Sequence, residues 1–204
     1  NKTIIGLEEV ESTYKFTRFY EYNQSECKGM ICKEIFYTPF EAKLFDTTVY
    51  KTNSIYYVFG TDFSFDEPTL RLFYGKDITS PFSFQEHPMS PLSSNPTINR
   101  SAGKIFTIKG KLYRPSMHNA EGVGKGVNLN EIIELTPFEY KEVHLKNQIF
   151  TGTSFLSEID SNYYHHIDIL DKNSDGNITL LVDGAYESIL YLHGKEISDL
   201  NKPR

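Results

Sequence analysis

The sequence predicts an all-β fold assembled from a repeated pair of strands, on three observations. Tyr and Phe, 14 and 15 of the 204 residues, dominate the apolar set while Trp is absent. Aromatic-rich segments of this kind favour strands over helix bundles. The 13 Gly and 9 Pro punctuate the chain into short segments, as turns between strands require. The third observation is internal repetition. The strand pair over 45–51 and 55–58 is echoed by a pair over 100–107 and 111–114, closing on two-residue turns at Asn53-Ser54 and Lys109-Gly110. Val49 and Ile105 head matching strands 56 residues apart (105 − 49). Repeats at about this scale mark the blades of a β-propeller or a similar array.

Taken in order, the first dozen residues show no clear period, and residues 15–22 alternate as a strand does. Residues 23–29 are turn-rich and 30–37 form the return strand. The first clear unit follows, with a third strand over 70–74 after the loop 61–68. Residues 79–99 are rich in Pro and Ser and predict an ordered loop. After the second unit, the Gly-rich bend 121–126 leads to a strand over 127–135, standing where 70–74 stood before. A weaker third copy spans 164–170 and 178–183, and the tail from Gly184 has room for one short helix or strand. With no Gly/Ser/Pro linker to divide the chain, the expectation is one propeller-type domain over 1–204, with blade units near 10–37, 45–74, 100–135 and 164–183. At 56 residues per blade the chain holds about 3.6 blades, whereas propellers usually have at least four. Unequal blades or a missing N-terminal blade would reconcile the two, and the second is the expectation.

The net charge of −6 excludes a reader of nucleic-acid backbones. No apolar run approaches the length of a membrane span. The chain has neither an initiator Met nor a signal-peptide pattern, and so is expected to be a mature or excised piece. Cys27 and Cys32 flank a short turn, either as two reduced thiols or as a hairpin disulfide that only an oxidising compartment would keep. Asn1, Asn23, Asn99 and Asn177 open glycosylation sequons, and the compartment stays open.

Chemistry in a propeller gathers where the innermost strands open onto the axis. The residues at those positions are Asp46, Arg100 and the pair His165-His166, with Glu11 upstream of its strand. Two acids, an Arg and a His in one pocket suit sugar chemistry: one carboxylic acid protonates the leaving oxygen, a carboxylate activates water, and cationic donors orient hydroxyls. Each has a plainer reading: strand capping for Asp46, an inter-blade ion pair for Arg100, a packed pair for the histidines. Asp171, Asn173 and Asp175, with Gly176 and Ile178, match the first half of a calcium loop, making calcium the one cofactor suggested. Position twelve is Val182 instead of Glu, and Asp-Gly also serves a hairpin turn.

Several short motifs fall in a familiar order: Phe45-Asp46-Thr47-Thr48-Val49, Ser80-Pro81-Phe82, His87-Pro88-Met89-Ser90-Pro91, Arg100-Ser101-Ala102-Gly103 and Leu112-Tyr113-Arg114-Pro115. The stretch 130–137, the His165-His166 pair and Val10-Glu11-Ser12 also fit, with Val10 in place of a Pro. Over about 9–184 the chain resembles the propeller domain at the N-terminus of plant glucosamine inositolphosphorylceramide transferases, and a domain of bacterial proteins associated with sugar formyltransferases. It departs at Ser116, where a Gln is expected, and at Val123, where a Tyr is expected. The resemblance implies a five-bladed fold of the arabinanase and invertase type, with the opening blade outside this chain. It also implies an enzyme that cleaves or transfers a glycosyl group, with Glu11 and Asp46 as acid/base pair and Arg100, Arg114, His165 and His166 holding the sugar. The alternatives are a non-catalytic glycan-binding or scaffolding module serving a partner transferase, and a secreted or surface interaction protein. The expected partner is a glycan or glycosylated substrate, with no nucleic acid and no membrane span.

Overall fold

The computed structural model describes Thr3–Leu7, Arg18–Tyr22, Lys33–Tyr37, residues 44–151, residues 164–172, Ile178–Tyr186 and Ile189–Glu196. Among these residues the protein is all-β. Its regular structure is antiparallel strand, apart from a three-residue 3₁₀ turn at Pro81–Ser83. The chain divides into two compact units, Asn1–Leu92 and Ser93–Arg204.

In the first unit, β1 (Thr3–Leu7), β2 (Arg18–Tyr22) and β3 (Lys33–Tyr37) pair in that order. A second sheet runs β4 (Leu44–Thr52), β5 (Ile55–Asp62), β6 (Thr69–Gly75) and β7 (Phe84–Glu86). The β4–β5 turn has Asn53 and Ser54 at φ 47° and 64°, the left-handed pair of a type I′ hairpin turn, whose twist matches that of the flanking strands. Leu44, Val58, Phe73, Ile78 and Phe84 form the apolar core of this sheet.

The second unit repeats the plan. β8 (Arg100–Ser101) and β9 (Phe106–Ile108) both pair with β10 (Lys111–His118), which pairs with β11 (Gly126–Leu135) and then β12 (Tyr140–Thr151). The Lys109-Gly110 turn, at φ 49° and 78°, again is left-handed at both positions. The last sheet is β13 (Ile167–Lys172), β14 (Ile178–Tyr186) and β15 (Ile189–Glu196). Met117, Val127 and Leu129 from one sheet pack with Ile167 and Val182 from the other, together with Ala102, Phe106 and Tyr164.

Several elements differ from expectation for identifiable reasons. Ile105 precedes its strand instead of heading it, because the first strand of the second unit is broken into β8 and β9. The stretch 79–99 contains β7, whose three residues are too short to show a period. β12 was not expected at all: its alternation is inverted, with Val143 and Leu145 exposed while Glu142 and His144 make side-chain bonds across the sheet. β1 occupies part of the stretch without a period, and the tail carries β15. His87 is a structural residue. It is buried, accepts a hydrogen bond at Nδ1 from the Met89 amide (3.1 Å) and sets its ring edge-on to Tyr74 at 5.9 Å.

Candidate functional site

Asp46 owes its position to a bulge. Phe45 pairs with Thr61 and Thr48 with Phe59, so three steps on β4 oppose two on β5, and the extra residue falls at Asp46-Thr47. Asp46 takes φ 52° there. A left-handed non-glycine residue is costly, by about 1–3 kcal/mol, and a bulge re-aims a side chain and often stands beside a functional site. The half-buried Asp46 stands at the start of an edge strand, held in a conformation that strand pairing alone would not select.

In the second unit, Arg100 pairs with Met117 and Ser101 with Ser116 at the start of the first strand. Arg100 is half-buried and Ser101 fully buried. The chain then passes Gly103, at φ 129°, where a Cβ would lie 1.9 Å from the Ile167 carbonyl oxygen. Only glycine permits that approach, and it lets the Ile167 amide donate to the Ala102 carbonyl at 2.8 Å. His165 and His166 stand immediately before β13, His166 exposed and His165 half-buried. One carboxylate oxygen of Asp183 accepts from both their backbone amides, at 3.1 Å from His165, and the His166 carbonyl accepts from the Asp183 amide at 3.0 Å. Gly124 makes room for the His165 ring: a Cβ there would come within 2.4 Å of its Cδ2 and Nε2. Asp183 and Gly124, which sequence reasoning did not single out, therefore set the histidine pair.

Arg114 is placed differently from a surface sugar-binding residue. Its side chain is 0% exposed, and its guanidinium holds Glu142 in a two-point pair, Nε to Oε2 at 2.9 Å and Nη2 to Oε1 at 2.7 Å. Nη2 also donates to the Ile98 carbonyl, and the Tyr140 hydroxyl donates to Glu142 Oε2 at 2.6 Å. This cluster belongs to a buried polar face. Asn130 Nδ2 donates to the Arg114 carbonyl (3.0 Å) and to Ser116 Oγ (2.9 Å), while His144 Nδ1 donates to Asn130 Oδ1 at 2.8 Å. Ser116 Oγ and Asn128 Nδ2 both donate to the Thr97 carbonyl. Ser116, one of the two departures noted in the sequence, thus lies inside this network, whereas Val123 is exposed. Asn128, His144 and Glu142 went unnoticed in the sequence, and Asn130 was noted only as the start of the stretch 130–137. The available signal was a run of polar residues at period two, Arg114, Ser116 and His118 on one strand and Asn128 and Asn130 on the next.

Burial alone would raise the Glu142 carboxyl, but the charge of Arg114 and hydrogen bonds from Arg114 and Tyr140 hold it below the usual carboxylate range. In the unfolded chain this group titrates near about 4.3. The stabilisation that follows is complete above that value and is lost as pH falls through the lower folded-state value. Urea midpoints measured between about pH 6 and pH 3 should fall for the parent. They should fall less steeply, from a lower starting level, for Glu142→Gln.

Glu11, Cys27, Cys32, Asn173 and Asp175 lie outside the described residues. Asp171 pairs with Thr179 in the β13–β14 ladder just after a register shift. Among the described residues no three His, Cys, Asp or Glu side chains converge as a metal site. Asn99, a sequon residue, is buried.

Residues 31–185 match the family model described as glucosamine inositolphosphorylceramide transferase 1, N-terminal. The chain belongs to this family. Two of its relatives are the transferases of that name from Oryza sativa subsp. japonica, 28% identical over 144 residues, and Arabidopsis thaliana, 26% identical over 148. These alignments cover 68% and 69% of this chain and 19% of each relative, so the chain spans about a fifth of their length. Among solved structures, the endo-arabinase from Bacteroides thetaiotaomicron superposes with TM-score 0.58 at 13% identity, covering 95% of this chain and 69% of that one. A family 117 glycoside hydrolase, Zg3597 from Zobellia galactanivorans, superposes with TM-score 0.52 at 12% identity, covering 91% and 58%. At such identities the likeness shows the β-propeller fold. Within the family match lie Asp46, Arg100, Arg114, His165 and His166, whereas Glu11 precedes it.

Proposed function

We propose that this family member is a carbohydrate-active domain of the five-bladed propeller type, which binds a glycan and cleaves or transfers a glycosyl unit. Asp46 and Glu11 would share the acid/base work, one carboxyl protonating the leaving oxygen while the other activates the attacking group. Arg100, His165 and His166 would orient sugar hydroxyls, and Arg114, buried on Glu142, would act only through the sheet it holds. The observation that carries this reading is Asp46 itself, held left-handed on a bulge at the head of its strand. The names of the relatives and fold neighbours, transferases on one side and an endo-arabinase and a glycoside hydrolase on the other, support a glycan as the ligand.

A second reading is a non-catalytic glycan-binding module that presents its ligand to a partner transferase domain. It is favoured by the match to a segment described as N-terminal, a fifth of each relative's length. One experiment separates the two. The parent and Asp46→Asn are screened on a glycan array, and bound glycans are then assayed for release or transfer of sugar. Binding retained with turnover lost in Asp46→Asn is the expected result. Binding without turnover in the parent would favour the module, and no glycan binding by the parent would overturn both.

A further inference from the structure

We propose that Phe63, with Phe45 behind it, forms an aromatic platform beside Asp46 on which a sugar ring stacks. The inference rests on the glycan reading above and assigns part of its ligand site. The register brings the residues together. Leu44 pairs with Asp62 and Phe45 with Thr61, so the loop leaving β5 starts beside the strand end that carries the Asp46 bulge. Phe63, the first residue of that loop, packs against Phe45, the neighbour of Asp46, with ring centroids 5.0 Å apart and planes at 79°. Phe63 is nonetheless 43% exposed. An aromatic ring held edge-on by its neighbour while much of its surface stays in water is a surface on which a ligand can stack.

The loop that carries Phe63 is anchored. Asp62, 1% exposed, accepts from the Ser64 amide at 2.9 Å and from Ser64 Oγ at 2.6 Å with one oxygen, and from Arg71 Nη1 at 2.6 Å with the other. Arg71 also holds Glu86 through Nε (2.9 Å) and Nη2 (2.7 Å). Phe65, the other exposed aromatic of the loop, stands against Arg71, whose guanidinium carbon lies 5.9 Å from its ring centroid. So the turn is clamped on both sides of Phe63, and the platform is held before any ligand arrives, which lowers the ordering cost of binding. Its chemistry selects a sugar by the face that carries C–H bonds, and Asp46, the chain neighbour of Phe45, would take a hydroxyl or the glycosidic oxygen. A phosphate or another purely anionic ligand would gain nothing from the ring.

The test is calorimetric titration of the full chain with glucosamine oligosaccharides and, separately, arabino-oligosaccharides. Burying a phenyl ring is worth enough that Phe63→Ala should weaken binding by about tenfold or more. Phe63→Tyr should bind within a few-fold of the parent. Phe82→Ala, which removes a ring 91% exposed elsewhere in the same unit, serves as the control and should bind as the parent does. Thermal unfolding should be nearly unchanged in all three. A parent that binds while Phe63→Ala binds equally well overturns the platform and leaves the glycan reading standing. A parent that binds neither sugar overturns the platform, and one that also binds no glycan on the array overturns the glycan reading as well. Equal weakening by Phe63→Ala and Phe82→Ala would mean non-specific contact with exposed rings and also overturns the platform.

Discussion

Gly103→Ala should lower the unfolding temperature of the Ser93–Arg204 unit by about 10 °C or more, the shift that a loss of about 4 kcal/mol gives in a protein of this size. Two independent penalties combine at this residue. Its φ of 129° is a region that L side chains rarely adopt, and the new methyl would sit 1.9 Å from the Ile167 carbonyl oxygen and 3.0 Å from its carbon. Backbone is not the flexible end of a side chain, so relief requires the strand start at Ile167 to move away. That breaks the amide bond from Ile167 to Ala102 and loosens Ile167 and Ala102, both 0% exposed in the core. Differential scanning calorimetry measures the shift. A change of under about 2 °C would show that the close approach is not maintained in solution. Gly110→Ala is the control, since φ is 78° there but no atom lies within 4 Å.

The second large effect concerns Arg114 and Glu142. Glu142→Ala should destabilise the same unit by about 3–5 kcal/mol, because it strands a guanidinium that is 0% exposed without its counter-charge. The double variant Arg114→Met, Glu142→Leu should recover most of that loss, since apolar residues of similar volume are often no worse than a buried ion pair. Denaturant unfolding at neutral pH reads both. If the double variant is as unstable as Glu142→Ala, the surrounding polar face depends on the guanidinium and not merely on charge balance. Because Arg114 is spent on Glu142 and Ile98, its influence on any ligand would pass through the sheet it holds together.

Much of the fold was legible because it is local. The two-residue turns at Asn53-Ser54 and Lys109-Gly110, the aromatic strands around them and the repeat itself follow from neighbouring residues, and the sheets agree with them. The glycines of Arg100-Ser101-Ala102-Gly103 and of 121–126 were visible, but their reasons were not. Gly103 answers to Ile167 and Gly124 to His165, partners more than 40 residues away. Likewise the pairing of Arg114 with Glu142, 28 residues on, and the service of Asp183 to the histidines 17 and 18 residues before it, come from strand pairing that no short motif encodes. The bulge at Asp46 was equally hidden, since nothing in Phe45-Asp46-Thr47-Thr48 distinguishes a bulged strand from a regular one. β12 escaped because the usual rule, apolar inside and polar outside, is reversed on it.

That reversal has a consequence for how the second unit finds its alignment. An apolar face cannot tell a correct pairing from one displaced by two residues, since both keep the same side chains inward. A polar face can. Asn130, on β11, bridges the strands on both sides of it, its amide nitrogen on the Arg114 carbonyl and the Ser116 hydroxyl of β10, its oxygen on the His144 ring of β12. Sliding β10 by two residues in either direction leaves that amide with the wrong neighbours in a place water does not reach. One buried asparagine thereby acts as a locating pin, so that the sheet has one acceptable alignment where greasy packing alone would tolerate several.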